Sequence, residues 1–282
     1  MISNSSIAGK RVIVCADDFA VHAEASLGIA ELARRARLSA TSVMVLSPRW
    51  PRDAGLLKDL PQAIDVGLHL DWTSEFAVAS GHGMSLLAAM RKAVLGGFGG
   101  AAGVQATRTV IARQLDAFEA HWKAPPDFVD GHQHVQQFAG IRDELVQALL
   151  DRYAKLDRRL PYLRISRAPA GHADLKSRVI AAMGATALQE VAAQAGLPVS
   201  AALLGIYDFS GDTSRYGTLM DGWLRAAPEL SIIMCHPAQA TVAQDAIGAA
   251  RAREYGYLGS VAFAAATERA GVQVVRGHFC DR

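Results

Sequence analysis

The sequence predicts an α/β fold, a (β/α) barrel of seven or eight parallel strands wrapped in helices. Short runs rich in Val, Ile and Leu alternate with longer runs of helical spacing along the whole chain. No linker, internal repeat or change of composition interrupts them, so residues 1–282 read as one domain. A length of 282 residues suits one barrel and can bury a large core. An open doubly wound sheet is the structural alternative.

Arg11–Ala16 (RVIVCA) reads as a buried strand. A helix follows over Ala23–Leu38, where Leu27, Ala30, Ala33 and Ala36 recur at helical spacing and Glu31 reaches Arg35 one turn on. Thr41–Leu46 is a second strand, stopped by Ser47-Pro48, and Ile64–Leu70 a third. Trp72–Ser85 and the glycine-dense Gly96–Gly103 read as irregular. The latter lacks the Lys-Ser/Thr of a phosphate loop and is expected to be a mobile surface connection. A helix over Thr107–Trp122 stops before Pro125-Pro126, and Asp127–Asp130 is a short strand. Ile141–Tyr153 is helical, Tyr162–Ser166 a strand, and Leu175–Ala195 an Ala-rich helix with a break at Gly184. Leu197–Leu204 and Leu230–Cys235 read as strands, Val242–Arg253 and Leu258–Arg269 as helices, and Val272–Arg276 as the last strand.

Composition narrows the function classes. Half the residues (51%) are hydrophobic and 20% are charged, a globular balance. A net charge of +2 leaves no basic stripe for nucleic acid, and the groups Arg34, Arg35, Arg37 and Arg158, Arg159 are short. No apolar window is long enough to span a bilayer, and Met1–Lys10 has no secretory h-region. Cys15, Cys235 and Cys280 are odd in number and form no CxxC. A cytoplasmic protein in a reducing compartment, without stable membrane insertion, is expected.

In such barrels the reactive groups stand at the C-terminal ends of the strands. There the sequence places Asp17-Asp18, His69, Asp130-Gly131-His132-Gln133-His134 and His236-Pro237. Adjacent carboxylates after a buried strand need neutralising; an N-cap would use one of them, a metal ion with neighbouring histidines fits better. His132 and His134 point the same way on extended backbone but not on a turn. His69 lies in an apolar setting where a satisfied core histidine is the plain alternative. One aspartate of the pair and two of these histidines would make a two-histidine, one-carboxylate set with positions left open for water and substrate, as a hydrolytic metal requires. Water on a divalent cation becomes acidic enough to supply hydroxide near neutral pH.

Ala16-Asp17-Asp18-Phe19, Gly67-Leu68-His69-Leu70, Asp130-Gly131-His132-Gln133-His134-Val135 and Cys235-His236-Pro237 occur in this order. Together they resemble the YdjC-like carbohydrate deacetylases, the group of chitooligosaccharide and hopanoid-biosynthesis-associated deacetylases, from about Arg11 to Gly271. The resemblance implies a distorted barrel related to polysaccharide deacetylases and removal of acetyl from an N-acetylated sugar, in an oligosaccharide or glycolipid. It implies one divalent ion, Mg or Zn, on Asp18, His69 and His132, with Asp17 as base and His236 as acid. Arg164 matches a motif arginine that orients the base or binds substrate, a structural ion pair being its alternative. His134, close to His132 in the sequence, would tune the proton transfer or hydrogen-bond the sugar. Two positions depart from the family: Ala20 stands where glycine is usual, and Gln136 where a third histidine is frequent. A metal phosphoesterase, a glycosidase using Asp17 and Asp130, an Fe(II) oxygenase and a catalytically inactive sugar-binding protein are the competing readings. A homodimer is the base-rate expectation.

Overall fold

The computed structural model describes residues 9–156 and 159–277, so Arg158, His278 and Cys280 lie outside the described residues. The strands are β1 (Lys10–Phe19), β2 (Ala40–Val43), β3 (Asp65–Leu70), β4 (Phe128–Gly131), β5 (Tyr162–Leu163), β6 (Leu203–Leu204), β7 (Ser231–Cys235) and β8 (Val272–Val274). The helices are α1 (Ala23–Arg34), α2 (Trp50–Lys58), α3 (Glu75–Ala79), α4 (Leu86–Val94), α5 (Gly100–Trp122), α6 (Ile141–Tyr153), α7 (Leu175–Ala182), α8 (Ala185–Gln194), α9 (Thr213–Ala226), α10 (Gly248–Leu258) and α11 (Val261–Arg269).

The fold is a distorted (β/α) barrel. Every strand pairing is parallel, in the order β5-β4-β3-β2-β1-β7-β6. β8 joins β1 at Lys10–Val12. The carbonyls of Val12 and Val14 accept from Val275 and Ser39, so β8 and β2 share one edge of β1, while the Arg11 carbonyl accepts from Leu230 on the other. The far edge of β5 is met by residues 198–204. Leu163 bridges Val199 in parallel, and Leu203 donates to the Arg167 carbonyl at 2.8 Å. A bridge rather than a full strand ladder joins the two ends, which distorts the barrel.

Alternation along the strands divides the core. Val12, Val14, Val66, Leu68, Val129, Leu163, Ile233 and Cys235 pack outward against the helices. Ile13, Cys15, Phe128, Tyr162, Ile232 and Met234 fill the interior. Glycine stands at the inward position 67 because a Cβ there would sit 2.6 Å from the Phe128 ring. A Gly67→Ala protein is therefore expected to lose about 1–3 kcal/mol through overpacking, read as a lower denaturant midpoint.

Several helices differ from the sequence expectation. The glycine-dense stretch lies at the surface with only Phe98 buried, and α5 starts within it, at Gly100. Phe98 is buried, and side chains at Gly103 or Gly140 would meet it at 2.9 and 2.7 Å. Trp72–Ser85 contains the short α3, capped by Ser74. Helices α2, α4 and α9 were not legible: α9 carries two interior glycines and depends on Asp212, which accepts from the Arg215 N–H. α10 begins later than expected, at Gly248, after a turn in which Asp245 accepts from the Gly248 N–H. The break at Gly184 is real, separating α7 from α8.

Candidate active site

Because the strands are parallel, their C-terminal ends share one rim, and alternation decides which residues face inward there. Asp17 continues the inward series of Ile13 and Cys15; His69 follows Gly67, Asp130 follows Phe128, Arg164 follows Tyr162, and His236 follows Met234. Asp18 would by the same alternation face the helices. The pairing of β1 with β2 slips between Ala16 and Phe19, and Asp18 takes a left-handed φ of 65°, which turns it to the rim. Ala20 also sits at a left-handed φ of 72°, the reason glycine is the easier residue there.

Asp17, Asp18, His69, His132, His134, Arg164 and His236 all line one cavity of about 1230 Å³. Asp18 Oδ1 lies 3.3 Å from His69 Nε2 and 3.2 Å from His132 Nδ1, and the three ligating atoms are within 4.8 Å of one another. His69 Nδ1 is 2.6 Å from Asp130 Oδ1, and Ser42 Oγ is 3.0 Å from the same nitrogen. An Nδ1–H donated to Asp130 orients the ring so that Nε2, which faces Asp18, could ligate a cation in place of its proton. The donor set of two imidazoles and one carboxylate oxygen suits a divalent cation such as zinc, and the charges agree. Three buried carboxylates, Asp17, Asp18 and Asp130, face two guanidiniums, Arg164 and Arg251, leaving one negative charge that a proton on His69, or a cation in its place, balances. Burial works against a proton on His69, yet Asp130, Asp18 and Asp17 push its pKa up to about 10.

Arg164 is fully buried, its Nη1 2.7 Å from Asp17 Oδ1 and 2.8 Å from Asp130 Oδ2. Burial opposes charge on Asp17, but Arg164 and His69 hold its pKa at about 2, so it is a carboxylate at any ordinary pH. His134 does not join the Asp18 cluster. Gln133 and His134 have left-handed φ values of 53° and 63°, so the HxH pair lies on a turn and its rings diverge. His134 Nδ1 faces Ser166 Oγ at 3.0 Å, and burial with the nearby Arg164 charge lowers its pKa to about 3. Gln136 is buried behind it and donates to the Arg164 carbonyl and Ser166 Oγ. It therefore stands apart from the cluster around Asp18.

His236 donates its backbone N–H to Glu254 Oε2 at 2.6 Å, while Tyr207 OH donates to Oε1. Among the described residues its buried Nδ1 has no hydrogen-bond partner, and burial lowers its pKa below the usual imidazole value. Sequence reasoning missed Ser42, Asp130 as the partner of His69, Ser166 and Arg251. Strand parity could have found the first two. Nothing local marks Arg251, which α10 delivers from far along the chain to Asp18 Oδ2 at 2.7 Å.

Arg251 is held in turn by Asp245, which also accepts from His22 Nε2 at 3.1 Å. Partial burial opposes charge on Asp245, but the His22 hydrogen bond and Arg251 outweigh it and set the pKa at about 2. A depressed carboxyl pKa gives stability that is complete above the unfolded value and is lost as pH falls through the folded one. An Asp245→Asn protein is thus expected to be less stable than wild type by about 1–2 kcal/mol at neutral pH, the gap closing between about pH 4 and pH 2. Urea melts across that range measure it.

Among the described residues no helix is long and apolar enough to cross a membrane. Comparison with curated proteins gives no significant sequence match. Solved structures that match include the following two. One is a protein from Enterococcus faecalis named for cellobiose-phosphate cleavage, 18% identical, with a TM-score of 0.66, covering 95% of this chain and 97% of that one. The other is a family 4 carbohydrate esterase from Streptomyces lividans in complex with acetate, 11% identical, with a TM-score of 0.44, covering 94% and 91%. The YdjC-like protein family matches residues 11–269, nearly the whole chain, and the protein belongs to that family.

Proposed function

We propose that this protein is a metal-dependent carbohydrate deacetylase that hydrolyses the acetamide of an N-acetylated sugar. The observation that carries the reading is the convergence of Asp18, His69 and His132 in one cavity with Asp17 and His236. Asp18, His69 and His132 would hold one divalent ion, Mg or Zn. Such an ion supplies an acidified water and polarises an acyl oxygen. Asp17, ionised and fixed by Arg164, takes the proton of the attacking water through its carboxylate. The water oxygen bonds to the acetyl carbon, the C–N bond breaks, and acetate leaves. The nitrogen departs as an amine only if it receives a proton, and His236 gives it. Burial lowers the pKa of His236, so its imidazolium must form within the substrate complex before it gives the proton.

The cavity wall supports a sugar carried on an apolar group over a free oligosaccharide. Leu86, Met90, Phe138, Val179, Ile180 and Met183 line it, and Leu175 and Val179 stay 78% and 50% exposed at its edge. Aliphatic walls of this kind gain more from hydrocarbon than from hydroxyls.

Acetate release from N-acetylglucosamine, chitobiose and N-acetylated glycolipids, each with and without chelator, tests the reading. Glycolipid turnover that stops on chelation and returns with Mg²⁺ or Zn²⁺ is expected. Acetate release that survives complete metal removal would overturn the metal dependence, and chitobiose split into free sugars without acetate release would favour a carboxylate-pair glycosidase.

A further inference from the structure

We propose that Ser166 and Gln136 are positioning residues that lock His134 in its Nε2–H tautomer, so that the ring donates a hydrogen bond into the cavity and never accepts one there. The argument is a count of hydrogens. The Gln136 amide is fully buried, and its nitrogen donates to the Arg164 carbonyl and to Ser166 Oγ, both at 3.1 Å. Ser166, also fully buried, thus already accepts, and its hydroxyl has one hydrogen to give. The acceptor in reach is His134 Nδ1 at 3.0 Å. A proton on Nδ1 would strand the Ser166 hydrogen without an acceptor among the described residues, a costly state for a buried group. Nδ1 therefore accepts, the neutral ring carries its hydrogen on Nε2, and His134 lines the cavity with that edge.

The backbone agrees. Two successive non-glycine residues, Gln133 and His134, are held in the left-handed region, and this turn carries the ring away from His132 and onto Ser166. Strain of this kind persists where the surroundings fix the conformation. A donor-only group matches an acetamide carbonyl, which only accepts; this consequence rests on the deacetylase reading, whereas the tautomer does not.

Long-range ¹H–¹⁵N correlation of the histidine rings in the full-length protein tests the lock, with His134 assigned by the signals lost in His134→Asn. Wild type should show a protonated Nε2 and a bare Nδ1 between about pH 6 and 8. Ser166→Ala and Gln136→Met should give mixed tautomers, and Ser166→Thr should restore the wild-type pattern. In acetate-release assays Ser166→Ala should raise KM roughly tenfold, with kcat little changed and metal content intact. A wild-type Nδ1–H pattern, or a pure Nε2–H pattern surviving in Ser166→Ala, overturns the proposal. If no acetylated sugar is turned over, the deacetylase reading fails, and the ring signals still decide the tautomer.

Discussion

Asp17→Asn is expected to keep its metal and lose kcat by a factor of about 10²–10⁴, the usual value of a positioned general base. The two neighbouring aspartates are chemically alike but differently placed. Asp18 turns toward His69 and His132, whereas Asp17 faces Arg164 and takes no part in the Asp18 cluster. Asparagine preserves the volume of Asp17 and leaves Arg164 beside Asp130, so the fold should survive. Asp18→Ala should instead lose the metal itself, and activity with it. Metal analysis beside single-turnover kinetics separates the two, and wild-type metal content in Asp18→Ala would contradict the assignment.

Arg164→Met is expected to cost about 3–5 kcal/mol, a large share of the stability of an ordinary domain. Arg164 lies in the barrel interior with one nitrogen between two buried carboxylates. Removing it leaves Asp17 and Asp130 close together without a counter-ion, and one of them must then take a proton. Arg164→Lys keeps a charge but not the planar guanidinium, and should be milder. In any folded Arg164 variant the pKa of Asp17 should rise from about 2, moving the acid limb of the kcat/KM profile to higher pH. An Arg164→Met protein with wild-type stability and an unmoved acid limb would show that the arginine does not hold the base.

Much of the barrel follows from local pattern. β1, β3 and β7 are apolar runs ended by charged or histidine-bearing turns, and their order along the chain anticipates their common rim. Inward alternation, read from Ile13 to Asp17 or from Phe128 to Asp130, also places the polar rim residues. The short strands β5 and β6 are two residues each, too brief for periodicity to bound them. Helix α9 has little local preference for its state, and the glycine run in which α5 begins reads as a loop because nothing local marks the helix start at Gly100.

By itself the sequence determined the parallel alternation of strands and helices and the set of rim residues, because period-two burial and parallel βαβ order can be read along the chain, whereas closure into a barrel cannot. Only the tertiary structure decided how those residues divide their work. It turned Asp18 out of strand alternation, put His134 on Ser166 rather than beside Asp18, and brought Arg251 from α10 to the Asp18 carboxylate. Those outcomes depend on charge and hydrogen-bond pairing between segments far apart in the chain. Buried polar groups must find partners wherever the fold brings them, and local sequence carries no record of who those partners are.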